Sequence, residues 1–564
     1  MGTVFKLTFS IVLLLTSLSS LPAIGQVVKA KQCMVASVNP VATDAGLAAL
    51  RDGGNAIDAA VATAVTLGVV DGHNSGLGGG CFILMRKADG EIVAIDGRET
   101  APAAATRDMF TKDREVVPGL STTGSLAIGV PGALAAYTKA SQEHGELPIA
   151  KLLNKAAKIA DKGFVLDRVY ARNLGDSQEK LALFPASAAM LLKSNGAPYE
   201  EGDTLKLPDL AISYRAIASG GANWFYRGPY SKAVGTWMQE NGGLVTAKDF
   251  ADYKPKSREP IRTTYRDYEI VGFPPPSSGG IHVAQMLNIL EEFPLGKMLE
   301  HQPAKAHHVI AEAMKLAFAD RAHWLGDADF AKVPRGLIDK AYAKQLAKRI
   351  DLAKASTVAS HGLPADWQTN VYGKHTTHIA TADAEGNWVA ITATVNTSFG
   401  SKVVAPGTGI ILNNEMDDFS SRPGVPNAFG LVGAEANAVA PGKRPLSSMS
   451  PTIVLKDGKP IMTVGGAGGP KIITEVLLAI IRHIDGGQTV QEAISKPRYH
   501  HQWRPDVLFV EDTLEQDIVD ALRNYGHEIE VLERAGIAQS IVQLPDGSFV
   551  GQADPRVPSK AAGY

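Results

Sequence analysis

The stretch GKHTTHIATADAEGN, residues 373–387, sets two threonines between two histidines where a polar segment gives way to a strand pattern. Histidines three residues apart suggest a metal, but alternation along a strand sends such positions to opposite faces. Threonines opening a strand are ordinarily there because a β-branched side chain suits a pleated sheet. A third chemistry is available at Thr376. Its hydroxyl is a poor nucleophile without an adjacent base. Were the bond between His375 and Thr376 broken, the new α-amine would supply that base. Its reference pKa near ~7.7 leaves a sizeable neutral fraction at physiological pH, whereas a lysine near ~10.4 offers about one molecule in a thousand.

Other reactive patterns are weaker. The pairs His307-His308 and His500-His501 have diverging side chains, H-E-x-x-H does not occur, and the two cysteines, Cys33 and Cys81, are far apart in the chain. Neither a metal nor a cofactor is expected from these spacings. SGLGGGC lacks the last glycine of the dinucleotide fingerprint and leads into a strand, where that fingerprint opens a helix. GGAGGPK imitates a phosphate loop, but Pro470 stands where that loop needs glycine, and Ile472 follows Lys471. GGAGG offers unhindered backbone N–H groups to an anion or a developing oxyanion, and serves equally as a tight strand-to-helix turn. There is no G-x-S-x-G elbow, and the paired serines of PPPSSGG and PLSSMSP have no evident base beside them.

The elements that must position these groups read as a layered α/β architecture. Four hairpins recur: CFILMR with EIVAIDGR, TTHIATAD with NWVAITATVN, PTIVLKDGKPIMTV about Asp457-Gly458, and SIVQLPDGSFV about Asp546-Gly547. Hairpin-built sheets are antiparallel, and strands apolar on both faces need cover on each side. Cover comes from helical patterns at Ala56 to Val70, VAQMLNILEEF, KAHHVIAEAMKLAFADRAHWL and KIITEVLLAIIRHI, and Thr43 is placed to cap an earlier helix ended by Gly53 and Gly54. Residues 355–375 lack a sustained apolar period and predict a mobile loop ending just before Thr376. In such a loop scission is sterically possible.

With 564 residues, 45% hydrophobic and 20% charged, the chain can bury a large core. The 56 Lys plus Arg against 58 Asp plus Glu give no reason to expect nucleic acid or a membrane surface as partner. Lys6, the apolar run LTFSIVLLLTSLSSL, and Ala23 and Gly25 in PAIGQ predict a signal peptide over residues 1–25, and so a periplasmic or secreted protein without stable membrane insertion. Spacing does not say whether Cys33 and Cys81 pair.

TTHIATADAEGNWVAITATVNTSFGS, GIILNNEMDDFSSRPGVPNAFGLVG, GKRPLSSMSPTIV and GGAGGPKIIT resemble the γ-glutamyltranspeptidase family. So do DGRETAPAAATRDMF, FPPPSSGGIHVAQMLNILE and EAMKLAFADRAHWLGDADF upstream, and the motifs keep their order from about Ala36 to the closing AGY. The resemblance implies a four-layer αββα sandwich of N-terminal-nucleophile hydrolase type with antiparallel central sheets. It implies self-cleavage before Thr376 into a large subunit, residues 26–375, and a small subunit, 376–564, that stay together as a heterodimer. Thr376 is then the nucleophile, Thr394 orients its hydroxyl, and Gly468 and Gly469 supply the oxyanion N–H groups. Arg98, Ser447 and Ser448 hold the α-carboxylate of a γ-glutamyl donor such as glutathione, while Asn396, Glu415 and Asp418 take its α-ammonium. Water, amino acids or dipeptides accept the acyl group. The alternatives are a glutaryl-type β-lactam acylase of the same family, and an unprocessed exported protein that binds glutamyl peptides.

Two positions depart from the family pattern. Glu415 stands where bacterial members often have glutamine, and its extra charge favours an ammonium ligand. Phe429, in the lid-like RPGVPNAFGLVG, replaces a tyrosine whose hydroxyl latches to the residue matching Asn396. The resemblance thus implies a looser lid and more hydrolysis relative to transfer. Phe429→Tyr is expected to shift the products toward transfer in an assay that follows both; equal partitioning in parent and variant contradicts this.

Overall fold

The structure, a computed structural model, describes residues 27–362, 376–422, 427–428, 431 and 435–564. The signal-peptide segment, His375 and Phe429 lie outside these residues.

Two seven-stranded sheets occupy the centre. The first runs Lys560–Gly563, Cys33–Ser37, Thr377–Asp383, Trp388–Thr394, Gly80–Arg86, Ile92–Gly97 and Lys256–Arg258, every neighbour antiparallel. The second runs Val28–Ala30, Phe549–Ala553, Ile537–Gln543, Lys459–Ala467, Thr452–Lys456, Tyr268–Gly272 and Ile261–Tyr265, likewise antiparallel. The sheets meet face to face, with Thr377–Asp383 and Trp388–Thr394 against Lys459–Ala467. Helices Pro40–Arg51 and Ala56–Val70 cover the first sheet, and Gly279–Leu290 and Lys471–Ile484 the second. This is the expected αββα sandwich, and all four expected hairpins form.

The strand that follows Thr376 is fixed from every side. Thr377–Asp383 is buried along its whole length and hydrogen-bonded to Cys33–Ser37 on one edge and Trp388–Thr394 on the other. Helix Ala56–Val70, apolar nearly all round and opened by an Asn55–Asp58 capping box, is fastened to it. The Asp383 carboxylate accepts the Ala56 N–H at 2.8 Å, and the Thr381 hydroxyl donates to the Ala56 carbonyl at 2.7 Å.

Two expectations are corrected. The helix expected to start at Thr43 begins at Pro40 with Asn39 as its cap, because proline presets the first helical φ and the Asn39 oxygen accepts the Val41 N–H. Thr43 lies inside that helix, its hydroxyl on the Ser37 hydroxyl and the Lys560 carbonyl. Residues 355–362 of the expected mobile loop are irregular but anchored. The Trp503 indole N–H donates to the Val358 carbonyl at 2.6 Å, and the Gly362 N–H donates to Asp320 at 2.7 Å. Cys33 and Cys81 are free, buried thiols. Two strands separate theirs in the sheet, a gap of about 14 Å, twice what a disulfide spans.

The glycines of SGLGGGC serve close backbone approach. A Cβ on Gly79 would lie 1.9 Å from the Thr394 carbonyl oxygen, and one on Gly78 2.0 Å from that of Ile411. No flexible side chain can yield there. Gly175, exposed within helix Arg168–Ala182, meets nothing within 4 Å. Gly79→Ala is expected to lower the unfolding free energy by about 1–3 kcal/mol, and Gly175→Ala to raise it by about 0.5–1 kcal/mol. Urea unfolding midpoints check the opposite signs.

Candidate active site

The hairpin pairs Thr377 with Ala393 and His378 with Thr392; one further step in that register sets Thr376 opposite Thr394. Side chains so opposed have Cβ atoms about 4.5–5.5 Å apart. His378 Nδ1 bonds the Thr392 hydroxyl at 2.9 Å, and a Cβ on Gly465 would lie 2.2 Å from the His378 ring. The face carrying His378 and Thr392 therefore looks across the gap at the second sheet, and alternation gives Thr376 and Thr394 the same face. Burial holds the His378 imidazole neutral, its pKa lowered to about 3. Thr376 retains 6% exposure.

Beyond Thr394 the chain turns sharply. Asn396, Phe399 and Lys402 all have positive φ, at 75°, 58° and 69°, a conformation that residues other than glycine hold only when their surroundings impose it. Here the Asn396 N–H donates to the Thr394 hydroxyl at 2.8 Å, its side chain donates to the Asn414 carbonyl at 2.9 Å, and the Phe399 N–H donates to the His73 carbonyl at 2.9 Å. Asn396 thereby links Thr394 to the turn that carries Glu415 and Asp418.

Arg98, 1% exposed, directly follows strand Ile92–Gly97 at the end of the first hairpin. Its guanidinium donates to the Glu415 and Asp418 carboxylates, and also to the Pro445 carbonyl at 3.1 Å and the Leu446 carbonyl at 3.3 Å. The Glu99 carboxylate is 3.8 Å away. Burial alone would lower the Arg98 pKa, but Glu415, Asp418 and Glu99 together raise it. Burial pushes Glu99 up to about 7 against the opposing pull of Arg98, and raises Glu415 and Asp418 as well. A fixed cation and carboxylates of poised charge thus share one desolvated pocket.

Ser447 and Ser448 follow the carbonyls that Arg98 holds. The Ser447 N–H donates to the Pro276 carbonyl at 2.8 Å, and both the N–H and hydroxyl of Ser278 donate to the Ser447 carbonyl. PPPSSGG and PLSSMSP therefore pack against each other. Arg321 lies behind them, its guanidinium on the Ser278 and Ser448 hydroxyls.

GGAGG joins strand Lys459–Ala467 to helix Lys471–Ile484. Gly468 and Gly469 have φ of 143° and 65°, and a Cβ on Gly468 would lie 2.9 Å from the Gly536 Cα, so glycine is required. Among the described residues neither N–H donates to a backbone carbonyl, which leaves two donors beside a helix N-terminus.

Contacts connect Thr394, Asn396, Glu415, Asp418, Arg98, Ser447 and Ser448. Thr376 joins them by register, and Gly468 follows three residues after the Gly465–His378 contact. Sequence reasoning passed over Glu99 and Arg321, although both sit inside motifs it quoted. Among the described residues His308, Glu312 and His527 also converge. His308 and His527 bond each other at 2.8 Å, and Glu312 takes the Ser356 N–H at 3.0 Å and the Lys315 ammonium at 3.2 Å. Through His308 on the Asp351 carbonyl and Glu312 on the Ser356 N–H, the cluster fastens the segment before residue 362.

The sandwich and its antiparallel central sheets define an enzyme of the N-terminal-nucleophile hydrolase class. The family model described as Gamma-glutamyltranspeptidase matches residues 42–564. A glutathione hydrolase proenzyme of Escherichia coli strain K12 is 46% identical over 542 residues, 95% of this chain and 93% of that protein. Among solved structures, the cephalosporin acylase of Bacillus halodurans superposes with a TM-score of 0.86 at 28% identity, covering 98% of this chain and 99% of that one. The γ-glutamyltranspeptidase of Helicobacter pylori gives 0.54 at 40% identity, covering 56% and 90%. The chain belongs to the γ-glutamyltranspeptidase family.

Glu99 gives a stability signature. Its carboxyl ionises near the ordinary glutamate value of 4.5 when unfolded and, raised by burial, at about 7 when folded. A raised folded pKa contributes stability that is fully present below the unfolded value and lost as pH rises through the folded one. Glu99→Gln removes that loss, so the melting temperature of the variant relative to the parent is expected to be higher at pH 8 than at pH 5. An equal difference at both pH values refutes the assignment.

Proposed function

We propose that this chain is a self-processing threonine enzyme that cleaves γ-glutamyl amides, glutathione among them, and passes the acyl group to water or to the amine of an amino acid or dipeptide. Export under the direction of residues 1–25 precedes cleavage before Thr376, and residues 26–375 and 376–564 remain associated as a heterodimer. The observation that carries this reading is the pocket of Arg98, Glu415 and Asp418, tied through Asn396 and Thr394 to the strand beside Thr376. A γ-glutamyl end carries a carboxylate and an ammonium on one carbon. It would exchange the internal ion pair for two external ones, carboxylate to Arg98 and the Ser447 and Ser448 hydroxyls, ammonium to Glu415, Asp418 and the Asn396 oxygen.

In this mechanism the Thr376 α-amine takes the hydroxyl proton as Oγ attacks the γ-carbonyl, with Thr394 fixing the hydroxyl's direction. The oxyanion is held by the N–H groups of Gly468 and Gly469. Collapse expels the amine, which leaves with the proton, and an ester remains on Thr376. Water or a second amine attacks that ester, its proton passing to the α-amine, and regenerates the hydroxyl.

The acylase reading rests on the likeness to the Bacillus halodurans enzyme. A glutaryl group lacks the ammonium, and would leave Glu415 and Asp418 buried without the charge they are set to meet. γ-Glutamyl-p-nitroanilide is expected to be hydrolysed at least ~10-fold faster than its glutaryl analogue. The main test is purification and denaturing electrophoresis. Two bands are expected, the smaller beginning Thr-Thr-His, while Thr376→Ala gives one band and no turnover. Full activity in a continuous chain or in the variant overturns the proposal.

A further inference from the structure

Arg321 is a buried cation for which the mechanism above has no use. It lies in the last turn of helix Pro303–Trp324, where the helix dipole favours positive charge, and is 3% exposed. Its Nε donates to the Ser278 hydroxyl at 2.7 Å and its Nη2 to the Ser448 hydroxyl at 2.6 Å. Among the described residues no carboxylate lies within 4.0 Å of it, whereas Arg98 meets three. Asp418 reaches Arg321 through its field alone, and burial lowers the pKa of Arg321 to about 10, so it stays charged at neutral pH. A guanidinium left without a carboxylate at this depth carries an unmet demand for an anion.

The two hydroxyls it holds differ. Ser278 spends its own proton on the Ser447 carbonyl at 2.7 Å, so that bond locks two segments together. Ser448 accepts from Arg321, and among the described residues its own proton meets no acceptor. A hydroxyl that accepts from a cation is a stronger and better-aimed donor. The planar fork of arginine reaches both hydroxyls at once, which an ammonium cannot do with the same geometry.

Resting on the γ-glutamyl reading, we propose that Arg321 is a positioning residue that aims the Ser448 hydroxyl at the donor's α-carboxylate and supplies the second positive charge which selects donors carrying that group. It does not act on the ammonium or on Thr376. Its effect should therefore follow the carboxylate of the substrate.

The test uses the purified parent enzyme with Arg321→Met, Arg321→Lys, Ser448→Ala and the Arg321→Met/Ser448→Ala double variant. Three p-nitroanilides separate the charges: γ-glutamyl with both, glutaryl with the carboxylate only, and 4-aminobutyryl with the ammonium only. Arg321→Met is expected to lower kcat/KM about tenfold or more for the first two and to leave the third within about twofold, with Arg321→Lys intermediate. The Ser448→Ala effect should shrink in the Arg321→Met background, as residues acting through one contact are not additive. An equal fall on all three substrates, or additive effects, overturns the inference, because a merely structural role moves every substrate alike. If Arg321→Met does not yield folded enzyme, Arg321→Lys decides by the same contrast. A parent that fails to hydrolyse γ-glutamyl-p-nitroanilide overturns the functional reading and this inference with it. A parent that does so, with variants unchanged, overturns this inference alone.

Discussion

The site depends on one constraint: the strand Thr377–Asp383 is hydrogen-bonded on both edges and covered on both faces. A strand so held cannot slip, since a one-residue shift would reverse every side chain between the helix layer and the second sheet. That register sets Thr376 opposite Thr394 and lays His378 over Gly465. The glycines before Gly80–Arg86 belong to the same constraint, because only a residue without Cβ lets that segment pass so near the Thr394 carbonyl.

Around this rigid centre the polar groups are arranged at a cost. Arg98 is surrounded by three acids, of which only Asp418 keeps some solvent contact, and burial raises the pKa values of all three. Desolvation of ion pairs often cancels their mutual attraction, so such a cluster is poorly explained by stability alone. It is well suited to exchanging partners with a zwitterion, because its cation can meet the ligand's carboxylate and its acids can meet the ligand's ammonium. The left-handed residues after Thr394 are strained in the same neighbourhood and secured by Asn414 and His73.

Much of the architecture is legible in the sequence. Asp457-Gly458 adopts the left-handed turn such a dipeptide prefers, and helix Ala56–Val70 has the bounds its unbroken apolar pattern predicts. The first helix starts earlier than Thr43, which has the chemistry of a cap, because Asn39-Pro40 supplies both the acceptor and the preset dihedral. Residues 355–362 read as mobile because their anchors, Trp503 and Asp320, are remote in sequence. Arg98, Glu415 and Asp418 were found through a family resemblance, since residues more than three hundred positions apart show no spacing that betrays contact. Arg321 was missed for a related reason: on an apolar helix it looks like an end-of-helix cation, and only the fold reveals that its partners are two serines from separate loops.

The order of strands has a further consequence. In the first sheet, Cys33–Ser37 lies between Lys560–Gly563 and Thr377–Asp383, and the hairpin Thr377–Asp383 with Trp388–Thr394 separates it from Gly80–Arg86, so neither the strands before residue 363 nor those after residue 375 make a continuous layer by themselves. A backbone opened between them would leave two polypeptides threaded through each other, whose separation and unfolding are one event. Unfolding would then release two particles in place of one, so the midpoint would rise with protein concentration as for any obligate pair. Reassembly from dilute halves would need a bimolecular encounter of incomplete sheets. Under the proposed cleavage, folding of the uncut chain before the cut is therefore the unimolecular route to this pair of sheets.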